Sequence, residues 1–365
     1  MPSNLSLRRV KKVIWVIRIS DVAMSTKPQI TSVTPPHAIP GGEVILSCEG
    51  LRPHGDFGFR CSIGGIEARL VGASQTRLVV LVPDGISTEV AGVVIEGADG
   101  ASEPFVMRIG VPLVDSMHIV ANPAVDPSDG SVIVTVSGTR GQKLPRTLFR
   151  VSGPGQVDEI PAEVLNPTAV AFDSHGKMFV SCRAQGWVCE VGADGDVSVR
   201  GENLGIATGL AFDDQDSIFV GDRSGTIYRL SENGDATPFA TLEASVAAYH
   251  LAFGPGGRLF VTAPGLASFD SVHSVDELGF VSKYFRGLGR PQGLAFDSDG
   301  NLYVAASYRG RRGIIKIAEG ATHAEVFISG GNVVGTCFGK NGQMYVATST
   351  SLYSFDLGLK GILLN

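Results

Sequence analysis

The chain has 365 residues, of which 44% are hydrophobic and 18% charged, so it carries enough apolar material for packed cores. Its formal net charge is −6, and bulk electrostatics give no reason to expect a nucleic acid or an anionic membrane as a partner. A chain of this length is typical of about two domains.

The first 27 residues differ from the rest of the chain. Leu7–Ser20 mixes apolar and basic residues, and Arg18 interrupts the apolar run. A secretory signal needs about 7–15 uninterrupted apolar residues and a small-residue cleavage site, and a membrane span needs about 20. We therefore predict a disordered leader over 1–27, or a start at Met24, with no membrane span and a cytoplasmic location. A degenerate export signal or a membrane-surface segment stays open.

The cysteines are odd in number and scattered, which matches neither a disulfide framework nor a zinc site. We expect reduced thiols that pack as small hydrophobic side chains. They are Cys48, Cys61, Cys182, Cys189 and Cys337.

Residues 28–110 alternate short β-branched segments with Gly, Pro and Asp turns and show no helical period. About seven strands in this span predict a β-sandwich. The span resembles the IPT/TIG family of immunoglobulin-like domains in Pro28–Pro35, Pro40-Gly41-Gly42, Cys48–Leu51, Ile63-Gly64-Gly65 and Val71–Pro83. That resemblance implies a spacer, a docking module or, in some transcription factors, a DNA contact. Nine acidic residues against five basic ones make this span a poor phosphate binder, so we interpret it as a structural or docking module.

One pattern recurs six times in residues 111–365: a strand of small residues, a turn around Asp and Gly, and an apolar–aromatic–Val strand. The turns are about 42 residues apart, a unit typical of a four-stranded propeller blade. The sequence thus predicts an all-β chain, with a six-bladed β-propeller after the sandwich. We expect a segment near Ser116–Val120, or the C-terminal Gly361–Asn365, to close the ring by pairing with the last blade. The turns begin at Asp126, Asp173, Asp213, Gly254, Asp297 and Gly339.

The repeats resemble the NHL-repeat propellers and the senescence-marker-protein/gluconolactonase group over about 112–365. For the lactone hydrolases of that group, the resemblance implies a metal held at the channel mouth by a Glu, an Asn and an Asp. Here Gln292 stands at the Asn position and Ala306 at an Asp position, and only Asp222 keeps a carboxylate. One carboxylate does not make a site for a hard cation. We predict no metal and no cofactor.

Nucleophilic catalysis has no signature in the chain. His175, His250, His273 and His323 are isolated from one another, and no Gly-x-Ser-x-Gly elbow stands between a strand and a helix. We therefore predict no catalytic residue and a non-catalytic binding or scaffold protein. The alternative is a divergent hydrolase or lyase of the gluconolactonase-like group.

Propeller topology predicts two loop faces of opposite charge. The turns between strands one and two, and three and four, are acidic, whereas the other loops carry Arg140, Lys143, Arg146 and Arg290 among other bases. The planar guanidinium of arginine suits carboxylates and phosphates. The basic face, with groups near the channel, is predicted to bind an anionic small molecule or an acidic partner surface. The predicted binding residues are Arg183, Asp222, Arg223, Tyr249, His250, Gln292, Tyr308, Arg309, Arg311 and Arg312.

Overall fold

The computed structural model describes residues 27–54, 58–138, 142–267 and 269–362, and they are almost entirely β-structure. The predicted leader lies outside this part of the chain except for Lys27. The helices in the described ranges are two three-residue 3-10 segments, Pro255–Gly257 and Glu319–Ala321. No helix of the described residues is long and apolar enough to cross a membrane.

Ten strands before residue 110 form two sheets around one core, here called the two-sheet unit. They are β1 (Gln29–Thr34), β2 (His37–Ala38), β3 (Glu43–Glu49), β4 (Arg60–Ile63), β5 (Ile66–Glu67), β6 (Arg69–Ala73), β7 (Arg77–Leu81), β8 (Val90–Gly97), β9 (Gly100–Ala101) and β10 (Phe105–Ile109). One sheet has the order β1-β3-β7-β6 and the other β2-β10-β8-β4-β5, with β9 beside β8. Alternate residues of β3, β7 and β8 are buried, because each strand turns one side to the shared core.

The remaining strands form six four-stranded antiparallel sheets, numbered here as blades 1 to 6. Blade 1 holds β12 (Ala124–Val125), β13 (Val132–Thr135), β14 (Leu148–Gly153) and β15 (Gln156–Glu159). Blade 2 holds β16 (Pro167–Phe172), β17 (Met178–Cys182), β18 (Trp187–Val191) and β19 (Val197–Gly201). Blade 3 holds β20 (Ala207–Phe212), β21 (Ile218–Asp222), β22 (Thr226–Leu230) and β23 (Ala236–Thr241).

Blades 4 to 6 repeat this plan. Blade 4 holds β24 (His250–Phe253), β25 (Leu259–Thr262), β26 (Asp270–Val275) and β27 (Val281–Gly289). Blade 5 holds β28 (Leu294–Phe296), β29 (Leu302–Tyr308), β30 (Arg311–Ile317) and β31 (Ala324–Ser329). Blade 6 holds β32 (Val333–Phe338), β33 (Gln343–Thr348) and β34 (Leu352–Asp356), and its outermost strand is β11 (Val111–Val114). The first strands of successive blades contact one another, and β12 also contacts β32, so the blades close into a ring. This arrangement is a β-propeller.

The Asp–Gly turns adopt the predicted conformation. In blade 2, Asp173 Oδ1 accepts hydrogen bonds from the backbone N–H groups of His175 and Lys177, and Gly176 has a φ of 78°. In blade 3, Asp216 replaces the glycine with a φ of 58°, a conformation that Asp tolerates better than most residues. A carboxylate at the start of the turn between the first and second strands, such as that of Asp173, thus stabilises its own hairpin.

The ring closes just before the first of the two predicted segments. Val111–Val114, two residues ahead of Ser116–Val120, pairs antiparallel with β34. Ile119 bridges Val136 in blade 1, and Gly361 bridges Asp297 in blade 5. A single residue, Gly110, separates β10 from β11, so the strand that leaves the two-sheet unit enters blade 6 directly.

Hydroxyl groups connect neighbouring blades close to the ring axis. Thr135 Oγ1 donates to the carbonyl of Thr168 (2.8 Å), and Ser181 Oγ to that of Thr208 (3.2 Å). Thr262 Oγ1 donates to the carbonyl of Gln292 in the same way. Each hydroxyl follows the aromatic–Val or Ile–Val pair of a second strand and reaches the first strand of the next blade. The sequence carries this signal at the residue after each pair, a position that the repeat motif described above does not include.

Asn122 makes the corresponding link where the ring closes. Its Nδ2 donates to the carbonyl of Leu294 in blade 5 (2.8 Å), and its Oδ1 accepts from the N–H of Thr336 in blade 6 (3.0 Å). A Cβ on Gly293 or Gly335 would collide with this amide. Blades 1, 5 and 6 therefore meet around one side chain.

The two-sheet unit is joined to blade 5 by strand pairing. His37 and Ala38 of β2 lie parallel to Ile328 and Ser329 of β31. Ser329 Oγ donates to the carbonyl of Glu43 (2.7 Å), and a Cβ on Gly42 would lie 2.5 Å from the Ser329 carbonyl oxygen. One continuous sheet thus runs from the blade into the unit.

Replacing Asn122 with Ala removes both inter-blade hydrogen bonds and leaves a carbonyl and an N–H without partners. We expect the free energy of unfolding to fall by about 2 kcal/mol. Urea denaturation measures the change. The control is Asn233→Ala on an exposed turn, expected to change stability by less than about 0.5 kcal/mol. Equal effects of the two changes would contradict the role given to Asn122.

The Gly42→Ala substitution tests the junction between the unit and blade 5. The added methyl group has no room beside Ser329, so we expect a loss of about 1–3 kcal/mol in thermal or urea unfolding. Gly72→Ala is the matched control, because its Cβ would meet only Val79 at 4.0 Å. A stable Gly42→Ala protein with unchanged unfolding would show that the junction is loose.

Candidate functional site

The strand order separates two loop faces. The turns between second and third strands and the connections between blades lie on one side, here called the upper face. The Asp–Gly turns lie on the other side, the lower face. This division follows from the antiparallel order of every blade.

Two arginines from successive blades lie near each other on the upper face. Arg183 follows β17 and donates through Nη2 to Ser137 Oγ (2.7 Å). Arg223 follows β21 and donates to the carbonyls of Ser245 (3.1 Å) and Val246 (3.0 Å). Burial, together with the charge of Arg223, lowers the pKa of Arg183. Neither guanidinium forms a salt bridge with a carboxylate of the described residues.

Two predicted binding residues prove to have structural roles. The Asp222 carboxylate accepts the N–H groups of Ile206 (2.8 Å) and Ser224 (3.1 Å) and the Ser224 hydroxyl. Tyr249 is fully buried, and its hydroxyl donates to the carbonyl of Glu243. Burial raises the pKa of Tyr249 to about 12. The sequence predicted that both side chains bind a ligand at the channel mouth, but the structure uses them for these internal contacts.

His250 and Gln292 stand at the starts of neighbouring first strands. His250 is only 5% exposed, and burial lowers its pKa to about 4, so the imidazole is neutral at pH 7. Gln292 is half-buried, and its backbone bonds Ala305 and Thr262. The structure thus brings Gln292 to the inner ring but leaves His250 little access to a ligand.

The blade 5 hairpin divides its arginines between two surroundings. Arg309 lies over the ring of Tyr308, with the guanidinium carbon 5.1 Å from the ring centre, and Arg312 is exposed. Arg311 points to the two-sheet unit, where Nη2 donates to the carbonyl of Thr34 (3.3 Å). Arg311 therefore lies at the junction with the two-sheet unit, and its role in ligand binding stays a prediction. Arg140 lies outside the described residues.

The lower face is less acidic than its turns suggest, because bases pair with several carboxylates. Arg150 contacts Asp126 and Asp129 at 2.8 Å each, and Arg229 lies 3.8 Å from Asp213. The predicted charge difference between loops therefore does not extend to the strands beneath them.

One lower-face group resembles a catalytic triad in composition only. Ser174 Oγ donates to Asp216 Oδ2 (2.6 Å), and His175 Nδ1 lies 3.3 Å from that hydroxyl and 3.4 Å from that carboxylate. A triad places the serine and the acid on opposite ring nitrogens. Here both contact the same nitrogen and the serine proton points to the acid, so the geometry gives no activated nucleophile. The sequence suggested that His175 is isolated, whereas the structure places it beside Ser174 and Asp216.

Metal-ligating groups are sparse: within the described ranges, no three His, Cys, Asp or Glu side chains come together as a possible metal site. All five cysteines are free, and Cys182 lies with its sulfur 3.8 Å from that of Cys189.

Solved structures share this fold at low sequence identity. An auxiliary nutrient binding protein from Bacteroides ovatus is 12% identical over 90% of this chain and 98% of its own, with a TM-score of 0.53. A gluconolactonase from Xanthomonas campestris is 15% identical over 69% of this chain and 89% of its own, with a TM-score of 0.56. Regucalcin, a calcium-binding protein from Agrobacterium tumefaciens, is 13% identical over 70% of this chain and 96% of its own, with a TM-score of 0.55. No family model and no curated protein sequence matches the chain. The likeness shows the fold alone, which is a β-propeller.

The lowered pKa of His250 predicts a loss of stability in mild acid. Its pKa is about 4 in the folded protein and 6.5 in an exposed histidine. The unfolded chain therefore binds the proton first, and stability falls as the pH drops from 6.5 towards 4, by up to about 3 kcal/mol. His250→Gln should flatten the pH dependence of the urea midpoint in this window, whereas His323→Gln at an exposed site should not. An unchanged slope in His250→Gln would contradict the assignment.

Proposed function

We propose that the protein is a non-catalytic binding protein whose upper face recognises an anionic ligand or an acidic partner surface. The observation that carries this proposal is the pair Arg183 and Arg223. Two like charges lie close together on successive blades, held by hydroxyl and carbonyl acceptors and without a carboxylate partner among the described residues. An external anion would relieve their repulsion, and guanidinium groups bind carboxylates and phosphates through paired hydrogen bonds.

Apolar side chains beside the arginines favour a macromolecular partner. Ile206 is 44% exposed and Val246 40%, and Arg223 bonds the backbone carbonyls of both residues. Leu266, which is 94% exposed, lies two residues after Pro264, whose carbonyl bonds Val246. Apolar groups mixed with arginine are typical of protein interfaces. Tyr308, Arg309, Gln292 and Arg312 extend the proposed surface towards blade 5.

The finer assignments form part of the same proposal. We infer that residues 28–110 are an immunoglobulin-like sandwich of the IPT/TIG kind, which serves as a spacer or docking module. Residues 111–365 would be a six-bladed, NHL-like propeller and would carry recognition, and a cytoplasmic location fits the sequence. A binding role is compatible with the auxiliary nutrient binding protein, which matches this chain beyond the propeller.

The geometry gives the hydrolase alternative no specific support. The carboxylate of Asp222, which the sequence aligned with a metal ligand, is occupied by its own turn. The likeness to gluconolactonases lies in the fold alone.

Charge reversal at Arg183 and Arg223 tests the proposed surface. A fluorescein-labelled oligoglutamate peptide serves as the acidic partner in anisotropy titrations, and citrate as the small anion in calorimetry. Arg183→Glu/Arg223→Glu should weaken binding by more than about tenfold, since each charge reversal replaces attraction to the acidic probe with repulsion. The binding of one probe and not the other distinguishes a partner surface from a small ligand.

The matched control is Arg258→Glu/Lys360→Glu, which makes the same charge change at exposed residues of the lower face. It should bind the probes as the parent does. An equal loss in the control would show unspecific charge attraction and would overturn the site, and so would a parent protein that binds neither probe.

A further inference from the structure

A cavity that does not include Arg183 or Arg223 lies between the outer parts of blades 3 and 4. Its volume is about 490 Å³, within the range of small-molecule sites. One wall is the end of β23 and the residues after it, including Leu242 and Glu243. The other is formed by β26, β27 and the loop before them, including Phe269. No sequence motif described above points to this cavity.

Strand pairing gathers polar groups on the cavity side of blade 4. Ser271 lies opposite Arg286, and His273 lies opposite Lys283. Partners across an antiparallel pair point to the same side of the sheet. The register shifts between Val272 and His273, which puts Arg286 and Lys283 on one side although they are three residues apart. Two cations, a hydroxyl and an imidazole therefore line one wall.

Two polar atoms at this wall lack partners among the described residues. Asp270 is 8% exposed and Oδ1 accepts from the N–H of Gly265 (3.1 Å), but Oδ2 is buried with no hydrogen bond to a described residue. His273 Nδ1 is also buried with no such partner in the described ranges. Burial and the charge of Lys283 lower the pKa of His273. An unpaired buried polar group is costly, so an unexplained one indicates a missing partner.

The charges of the cavity are separated along its length. The acids Glu243 and Asp270 come from strand ends next to the upper face, and Arg286 and Lys283 follow along β27. Neither base forms a salt bridge with a carboxylate in the described ranges. Asp270 directly precedes Ser271, the partner of Arg286, at the start of β26, and both residues line the cavity. A ligand whose positive and negative groups are adjacent matches this order.

We propose that the cavity binds a small zwitterion of the α-amino acid type. Its ammonium group donates to the Asp270 and Glu243 carboxylates, and its carboxylate accepts from Arg286 and Lys283. His273 supplies a neutral hydrogen-bonding group beside them. The side chain of the ligand packs against Leu242 and the exposed ring of Phe269, so the site favours an apolar side chain.

Calorimetric titration of the full chain with each standard α-amino acid tests the site. We expect at least one with an apolar side chain to bind. Two analogues of that amino acid, one without the amino group and one without the carboxylate, should each bind at least about tenfold more weakly. Each analogue lacks one charge-assisted contact. Failure of every amino acid to bind would overturn the proposal, and so would equal binding by either analogue.

Two variants locate the binding. Asp270→Asn keeps an acceptor for Gly265 but removes the charge, and Arg286→Met removes an exposed cation. Each should weaken binding by about tenfold while leaving the thermal midpoint nearly unchanged. Arg258→Met, at an exposed residue of the lower face, is the control and should bind normally. Unchanged binding by Asp270→Asn and Arg286→Met would overturn the site.

The upper-face variant separates this site from the proposed function. Arg183→Glu/Arg223→Glu should lose the acidic probes and keep amino acid binding. Loss of both would show that the amino acid sits at the upper-face arginines and would overturn the separate site.

Discussion

The pairing of Val111–Val114 with β34 is the interaction on which the rest of the architecture depends. Blade 6 has only three strands of its own, and the fourth comes from the segment that leaves the two-sheet unit. A Cβ on Gly110 would lie 2.9 Å from both Ile39 and Phe355, so this connection has no spare room. Closing the ring and seating the unit against blades 5 and 6 are therefore one structural event.

The inner ring is occupied by its own hydrogen bonds, and this moves the candidate sites outward. Hydroxyls from second strands and the Asn122 amide bind the first strands of other blades. Tyr249 and Asp222 also stabilise the fold. Tyr249 fills the space beside Gly221, and Asp222 holds its own turn. Recognition is left to loops and blade edges, where side chains are not needed for closure.

Whether a charged side chain is available to bind a partner depends on the groups around it. The lower-face acids look like a uniformly negative surface in the sequence, but several bond the N–H groups of their own turns or pair with arginines on neighbouring strands. Arg183 and Arg223 look no different from Arg311 in the sequence. They differ because their blades place them together without a carboxylate, whereas Arg311 meets the carbonyl of Thr34.

The sequence by itself determined the β-structure, the six repeats and the chemistry of each turn, since these depend on local periodicity and on residues that accept a positive φ. The Asp216 turn could be predicted for this reason. Only the tertiary structure decided which strand closes the ring, because β11 pairs with a strand more than two hundred residues away. It also decided the candidate sites: the cavity at Asp270 and His273 joins blades 3 and 4, and the register shifts that align Lys283 with Arg286 have no local signature. Contacts between distant segments depend on how the whole chain packs, and a single sequence does not display them.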